Sequence, residues 1–419
     1  MPEDLYPPNV VVRHSAQSVC LISFSDFGLG RGEYLAEAMK AIGLEVLVVT
    51  NKPIYTESFK TIKNTLSKNK IDVLEIPLPN LPYESVFSRL IQYLLFTIFS
   101  FFILLKSRRS FTFYYSRGPH PFTDATCIML KLFKGGKIIS DITDLWPEVL
   151  DYMQINVFLK RILILFGNVV NSFTWSKLDA IVTHNEIMAH ILSRRSGRRV
   201  YVIYGVIDLN IFKPISKWNA IQKLPRDLQG KLYRKFIVLY AGIMGYFQDP
   251  EIVLKLAQLI TDKDILFVLI GTGPLKEQLA KEREKQNLDN ILLLDPVPHE
   301  LMPFIYNVAD LTLLPPPVSY DSRMYKYFVV TLPKKFIEYS ACGKPIICIT
   351  PECVASKLCK KWKAGYHFLP EKLEDIVYII QELKSNETLR RSLGDNAMKM
   401  ASSLFSIENT IEKLRAILT

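Results

Sequence analysis

Paired cysteine motifs are missing from this sequence. The six cysteines are scattered and none stands in a Cys-x-x-Cys pair, so a zinc site has no support. Residues 1–17 lack the apolar core of a secretory signal and predict a loose tail. We therefore expect a reduced, cytoplasmic setting, in which Cys20 and Cys348 are buried as small hydrophobic residues within apolar runs.

Long polar tracts, short repeats and low-complexity segments are also lacking. Of the 419 residues, 49% are hydrophobic and 22% are charged, which predicts two or three domains with large cores and argues against extended disorder. Acidic residues are outnumbered, and the net charge of +11 favours anionic partners such as nucleic acid, phospholipid headgroups or pyrophosphate-bearing substrates. Charge alone does not choose among them.

One long uncharged run is present at residues 90–105, LIQYLLFTIFSFFILL. A helix of this length reaches about 24 Å, which is short of a bilayer core of about 30 Å. Arg89 precedes the run, and Lys106, Arg108 and Arg109 follow it. We favour a buried helix of a large α/β domain over a helix that touches a membrane, and place a transmembrane span last. The first two interpretations can both hold for one helix, because one face can be buried while the other touches the membrane.

Apolar runs of four to seven residues alternate with helical stretches along the whole chain. This pattern predicts parallel sheets covered on both faces. The basic, polar segment 215–235, with Pro225 and Gly230, is the best linker candidate. We expect an α/β protein with two tandem Rossmann-like, doubly wound domains at 18–214 and 236–419, whose last helices can cross back to the first domain. Ligands should lie beyond the carboxyl ends of the strands.

A glycine-rich loop follows the first predicted strand, at SDFGLGRGEY, residues 25–34. Gly30 and Gly32 would let the backbone approach a substrate next to a helix N-terminus. Glu33 stands where a dinucleotide fingerprint needs glycine, and Thr50 stands where it needs an acidic residue. Nicotinamide binding is disfavoured, while a substrate-facing loop and a plain turn stay equally open.

A second candidate loop leads into a helix at TLPKKFIEYSACGKPIICI, from Thr331. Lys334 and Lys335 add positive charge beside the free N–H groups of a first helical turn, which suits a diphosphate. Glu338 follows about one turn later and could accept hydrogen bonds from two ribose hydroxyls. The alternative is a helix with an exposed Lys–Glu pair.

The run PKKFIEYSACGKPII resembles the donor-binding segment of glycosyltransferase family 4. Four further segments match that family in order: YGVIDLNIFKP (204–214), YAGIMGYFQDP (240–250), VLIGTGPLKEQL (268–279), and SDITDLWPE (140–148), which is similar to a subgroup that builds polysaccharides and lipid-linked saccharides. The resemblance covers nearly the whole chain. It implies the GT-B fold, in which two Rossmann-like domains face each other across a cleft.

The resemblance also implies roles for a set of donor-binding residues. Glu338 would bind the ribose, Lys334 and Lys335 the diphosphate, and Val297 the base, while three glycines would bring backbone close to the donor: Gly242, Gly245 and Gly271. Several positions depart from the family pattern: Val330 replaces a glutamate, Ile243 and Gln248 or Asp249 replace an arginine and a lysine, and Thr143 replaces a histidine. Most of the phosphate binding would then fall on Lys334 and Lys335.

Asp144, Trp146 and Glu148 follow a predicted strand of the first domain and could position the acceptor hydroxyl and the sugar. We take Asp144, Glu148 and Lys335 as the catalytic candidates. The alternative makes Asp144 a helix N-cap with Pro147 in the first turn.

A metal site is not expected. Asp262–Asp264 forms the one Asp-x-Asp of the sequence, and it precedes the predicted strand 265–270, at the wrong end of the sheet for a ligand. We expect no metal and no cofactor, with Lys335 and the helix terminus stabilising the leaving group instead.

The sequence thus predicts an enzyme that transfers a hexose or N-acetylhexosamine, with retention, from a nucleoside diphosphate sugar (UDP- or GDP-linked) to a lipid-linked saccharide or a polysaccharide. We expect it on the inner face of the cell membrane, held to an anionic surface through residues 86–109 of the first domain. A GT-B epimerase is the first alternative. A non-catalytic nucleic-acid-binding protein is the second, but no recognised binding module supports it, so we expect no nucleic-acid partner.

Overall fold

The computed structural model describes residues 17–24, 31–51, 71–79, 81, 86–118, 120–147, 156–245, 248–318 and 322–418. The chain divides into two compact units. The first holds Met1–Thr143, Val169–Ile181 and Leu414–Thr419, and the second holds Asp144–Asn168 and Val182–Lys413.

The first sheet has seven parallel strands in the order β3-β2-β1-β4-β5-β6-β7. Their bounds are β1 Ser18–Ser23, β2 Glu45–Asn51, β3 Asp72–Ile76, β4 Phe113–Arg117, β5 Lys137–Asp141, β6 Ala180–Thr183 and β7 Val200–Val202. In register, Val19 of β1 pairs with Val46 on one side and Phe113 on the other. The central strands are buried along almost their whole length, as parallel strands covered on both faces must be.

In the described part of the chain, five helices accompany these strands: α1 Arg31–Ala41, α2 Val86–Lys106, α3 Phe122–Lys134, α4 Val157–Lys177 and α5 Glu186–Ser196. The last one shows why its ends lie where they do. Asn185 caps its start by accepting a hydrogen bond from the Met188 N–H, and Gly197 ends it in the left-handed conformation.

Helices α2 and α4 are, by length and composition alone, apolar enough to cross a membrane, a test that core helices of soluble proteins also pass. Only 22% of each apolar window is buried. In α2, Phe96 and Leu104 are buried whereas Leu94, Ile98 and Phe102 are exposed. The expectation of a buried helix at 90–105 therefore holds for one face only.

The second sheet has six parallel strands in the order β10-β9-β8-β11-β12-β13. Their bounds are β8 Phe236–Ala241, β9 Ile265–Ile270, β10 Ile291–Leu294, β11 Leu311–Leu314, β12 Ile346–Ile349 and β13 Gly365–Phe368. Strands β8 and β9 are buried at every residue. Both sheets reverse their strand order between the first and fourth strands, which is the doubly wound arrangement predicted from the sequence.

Eleven α-helices are described after β7: α6 Lys217–Ile221, α7 Arg226–Leu232, α8 Glu251–Leu259, α9 Lys276–Lys285, α10 Met302–Val308, α11 Ser322–Val330, α12 Lys334–Ala341, α13 Val354–Trp362, α14 Leu373–Ser385, α15 Glu387–Leu404 and α16 Ile407–Leu418. Residues 215–235, which the sequence suggests as a linker, form α6 and α7. Their apolar side chains, including Ile221, Leu228 and Leu232, belong to the core of the second unit. The segment is rich in polar residues, but it forms two short amphipathic helices.

Candidate active site

The strand order of the second sheet reverses between β8 and β11, and ligands in such sheets bind beyond that point. Gly242 follows β8 with φ of 148°, and Gly271 follows β9 with φ of 146°. A Cβ atom on Gly271 would lie 2.0 Å from the Gly242 carbonyl oxygen. The two loops therefore touch backbone to backbone, and only glycine fits there.

Two cavities lie at this edge of the second sheet. The first, of about 330 Å³, is lined by the loops after β8 and β9 and by Val297, Tyr306 and Glu338. The second, of about 340 Å³, is lined by residues that include Tyr327 and Lys334. Three residues line both cavities: Gly242, Ile243 and Lys335. Gly245 lines neither and instead packs closely on Leu275, which gives it a part in shaping the loop.

Helix α12 begins directly after Pro333, whose backbone is extended and whose position has no side-chain cap. The N–H groups of the first turn therefore lack a capping side chain. Lys334, at the start of the helix, is 52% exposed, whereas Lys335 is partly buried. The sequence placed both lysines beside the helix N-terminus, and the structure shows that their environments differ.

Lys335 sits at the junction of the two cavities. Its Nζ donates a hydrogen bond to Gln248 Oε1 at 2.7 Å and lies 4.1 Å from the centre of the Tyr240 ring. Burial lowers the pKa of Lys335 to about 7, and the nearby Glu338 carboxylate only partly opposes that effect. A Cβ on Gly242 would come within 2.1 Å of this Nζ, so the glycine makes room for the ammonium group.

Glu338 is also buried, which argues against the exposed Lys–Glu pair considered from the sequence. Its Oε2 accepts a hydrogen bond from the Tyr306 hydroxyl at 2.6 Å, and its Oε1 lies 3.7 Å from Lys334 Nζ. Burial and the Glu338 charge raise the pKa of Tyr306 well above its ordinary value, so the hydroxyl stays protonated and donates. Tyr306 is not predicted from the sequence, because it stands in no motif.

Asp144 of the DLWP segment is hydrogen-bonded to a residue that lines the second cavity. The hydroxyl of Tyr327, which lines that cavity from α11, donates to Asp144 Oδ1 at 2.9 Å. Trp146 packs elsewhere, against Gly167 of α4. Glu148 and Gly30 lie outside the described residues. Helix α11 is not predicted from the sequence. Its residues resemble a loop between strand β11 and helix α12, whose sequence patterns are both strong.

The carboxyl ends of the first sheet carry a different set of groups. Gly32 is buried in the first turn of α1. Beside it in sequence, Arg31 donates two hydrogen bonds of 2.9 Å to the buried Asp141 carboxylate, and Arg117 Nε lies 3.8 Å from the same group. Burial alone would raise the pKa of Asp141, but Arg31 and Arg117 hold it below its ordinary value.

A second buried pair lies close by in the same unit. His120 Nδ1 is 3.0 Å from Asp124 Oδ2, and the Ser140 hydroxyl donates to Asp124 Oδ1 at 2.8 Å. These residues are not predicted from the sequence. The pattern that could have indicated them is a charged residue, Arg117 or Asp141, at the end of an otherwise buried apolar strand.

Among the described residues, no group of three or more His, Cys, Asp or Glu side chains could hold a metal ion. Asp262 and Asp264 lie before β9 and pair with Lys384, which places them at the opposite end of the strand from the cavities. All six cysteines are free and buried.

Known glycosyltransferases resemble this chain in sequence. Residues 226–400 match the family model described as Glycosyl transferases group 1. The chain is 23% identical over 306 residues to WcaI of Escherichia coli (strain K12), described as a colanic acid biosynthesis glycosyl transferase. That match covers 70% of this chain and 74% of WcaI.

Solved structures with a similar fold include HepE from Anabaena in complex with UDP and glucose, with a TM-score of 0.65 and 15% identity over 96% of this chain and 98% of HepE. They also include a glycosyltransferase from Rickettsia africae, with a TM-score of 0.66 and 13% identity over 97% of this chain and 98% of that one. Two doubly wound domains in tandem form the GT-B fold, and the matched family model and WcaI identify a glycosyltransferase that uses a nucleotide sugar. Residues 226–400 match glycosyl transferases group 1, and the family resemblance predicted from the sequence is confirmed.

Proposed function

We propose that the enzyme transfers a hexose or N-acetylhexosamine from a UDP- or GDP-sugar to a lipid-linked saccharide or polysaccharide, with retention of configuration. The observation that carries the proposal is the position of Lys335 between two cavities, one lined by Glu338 and Val297 and the other by Tyr327. The complex of HepE with UDP and glucose supports the donor class. The mention of colanic acid in the description of WcaI supports the acceptor class.

In this proposal the nucleoside occupies the first cavity. Val297 lies against the base, and Glu338 accepts hydrogen bonds from the ribose hydroxyls. Tyr306 fixes the carboxylate from the opposite side, so that Glu338 meets the ribose already oriented. The diphosphate then lies at Lys335 and the first turn of α12, and the sugar extends into the second cavity.

The departing diphosphate gains negative charge as the glycosidic bond breaks. Lys335 and the first-turn N–H groups of α12 supply positive charge at that place, which is the role a cation plays in other transferases. We therefore propose a metal-independent reaction by front-face displacement. Asp144, held by Tyr327, would orient the acceptor hydroxyl, with Glu148 and Trp146 completing the acceptor side.

We also propose peripheral membrane binding through residues 86–109, at the inner face of the cell membrane. Helix α2 exposes Leu94, Ile98 and Phe102, and Lys106, Arg108 and Arg109 follow in a segment without an acidic residue. Each cation near an anionic surface adds about 1 kcal/mol to binding.

A donor panel tests the catalytic proposal. The protein is incubated with UDP- and GDP-linked sugars, with and without a lipid-linked saccharide, and released nucleoside diphosphate is measured. Acceptor-dependent release from one donor, with a product anomer matching the donor by NMR, is expected. Conversion of the donor sugar without acceptor would identify an epimerase instead, and an inverted anomer would refute retention.

Sedimentation with anionic liposomes tests the membrane proposal, with the triple variant Lys106→Ala, Arg108→Ala and Arg109→Ala as the comparison. Wild type should bind at low salt and the triple variant should bind more weakly. Binding that ignores both salt and the triple change would refute the electrostatic contribution.

A further inference from the structure

Helix α4, Val157–Lys177, exposes a row of large apolar side chains and buries several polar ones. The exposed apolar residues follow helical spacing of three and four residues and form a stripe: Phe158, Ile162, Leu165, Phe166, Val169 and Phe173. Smaller polar residues, Asn168, Ser172 and Ser176, are exposed along the same helix. Its buried side includes Lys160, Asn171 and Thr174. A surface helix normally turns its polar face to water, so the stripe requires an apolar partner.

The charges around α4 indicate what kind of partner covers it. Residues 156–178 contain no acidic residue. Arg161 is exposed near the start of the stripe and Lys177 at its end, where the Lys177 ammonium lies 5.8 Å from the Phe173 ring centre. An apolar stripe with cations at both ends is complementary to acyl chains beneath anionic headgroups.

The polar residues of the buried side fix the orientation of the helix. A helix surrounded by lipid would expose Lys160 and Asn171 to hydrocarbon, whereas here both face the protein interior. The stripe from Phe158 to Phe173 runs about 22 Å along the helix axis. We propose that α4 lies in the plane of an anionic bilayer, with this stripe among the acyl chains and Arg161 and Lys177 at the headgroups.

The position of α4 has a consequence for the acceptor, which rests on the proposed function. A Cβ on Gly167 would lie 2.7 Å from Pro147, so the Trp146–Pro147 turn sits directly on the helix. Asp144, two residues earlier, is held by Tyr327 at the second cavity. The lipid-bound helix thus sets the distance between the acceptor segment and the membrane. The acceptor class that this distance selects is a lipid carrying a short saccharide.

A fluorescent probe in the stripe tests the insertion. The environment-sensitive label NBD is attached to Phe166→Cys, and to Tyr378→Cys on α14 as an equally exposed control; the six native cysteines are buried. With vesicles of phosphatidylcholine and phosphatidylglycerol, the Phe166 probe should shift to the blue and be quenched by lipids spin-labelled near the headgroups. Emission typical of water in vesicle-bound protein would overturn the proposal. Strongest quenching at the bilayer centre would overturn the in-plane orientation.

Substitution of the stripe provides the second measurement. Leu165→Gln with Phe166→Gln should weaken vesicle binding by about tenfold or more, because two large apolar side chains leave lipid. Diphosphate release from the donor in detergent solution should be unchanged, and Tyr378→Gln should match wild type in both assays. Both residues are exposed, so the substitutions should leave the fold intact, and circular dichroism checks this.

The outcomes separate the claims. If the basic triple variant loses vesicle binding but the stripe variant keeps it, the α4 proposal fails while membrane binding stands. If light scattering shows a wild-type dimer that the stripe variant converts to a monomer, a second copy covers the stripe and the proposal is overturned. Absence of transfer from every donor would remove the proposed function, and leave the insertion result unaffected.

Discussion

The two units handle buried charge in opposite ways at the carboxyl ends of their sheets. In the first, Asp141 is surrounded by Arg31 and Arg117, so burial is compensated within the protein. In the second, the partly buried Lys335 has a neutral hydrogen-bond partner, Gln248, and its pKa falls to about 7. The first network therefore compensates its own charge, whereas under the proposed function the charge at Lys335 is compensated by the diphosphate of the donor.

The largest expected effect comes from breaking the compensated network. Asp141→Asn leaves two buried guanidinium groups without their carboxylate and should lower the free energy of unfolding by about 3–5 kcal/mol. Urea denaturation measures this. The matched control is Asp72→Asn, which breaks the exposed pair with Arg109 and should cost less than about 1 kcal/mol. Similar losses for the two variants would contradict the distinction between them.

On the ligand side, Glu338→Ala should weaken nucleotide binding by about 1.5–3 kcal/mol, because a charged hydrogen-bond acceptor is lost. Titration calorimetry with UDP and GDP checks this. Tyr306→Phe keeps the carboxylate but removes the donor that orients it, so a smaller loss is expected. Nucleotide affinity of the Glu338 variant within about twofold of wild type would rule out its assignment to the ribose.

Lys335 should make both stability and binding depend on pH. Between its folded pKa of about 7 and its ordinary value of 10.5, the unfolded chain holds a proton that the folded chain lacks. The free energy of unfolding should therefore rise with pH in that window, by up to about 1.4 kcal/mol per unit from this group. Lys335→Met should remove the rise and stabilise the ligand-free protein at neutral pH.

Nucleotide affinity should respond in the opposite direction. The diphosphate favours the charged lysine, so affinity should fall from about pH 7 to about pH 9, after the nucleotide's own ionisation near pH 6 is complete. Calorimetry in buffers of different ionisation enthalpy should detect proton uptake. A pH-independent affinity that Lys335→Met leaves unchanged would show that Lys335 does not meet the phosphates.

The smallest expected effect is that of chelation. Turnover in excess EDTA should equal turnover without it, because Lys335 and the α12 terminus supply the positive charge at the leaving group. Turnover that EDTA abolishes and added Mg²⁺ or Mn²⁺ restores would show that the reaction depends on a metal.

The strand positions of the second unit could be predicted almost to the residue, because β8, β9 and β10 are unbroken apolar runs between polar turns. Strand β13, which begins at Gly365 and is only partly buried, has no such run and was missed. Lys334, Lys335 and Glu338 could be selected as donor-site candidates from the sequence because they lie in one short motif around α12.

Other features depend on tertiary contacts, which the local sequence pattern does not reveal. Arg31 and Asp141 are 110 residues apart in sequence and meet only because β5 ends and α1 begins at the same sheet edge. Tyr306 reaches Glu338 from a different helix. Helix α4 is apolar along most of its length, so which of its faces meets the protein follows from packing alone.

The backbone contact between Gly242 and Gly271 limits how this enzyme could be re-engineered for another donor. Main-chain atoms form that wall of the first cavity, so substitution there cannot exchange one recognition group for another; any side chain at position 271 would push the two loops apart. Side chains face the same cavity from Val297 and Met302. If the base lies at Val297 as proposed, a library that varies these two positions and keeps both glycines should change base selectivity and leave the proposed diphosphate site intact.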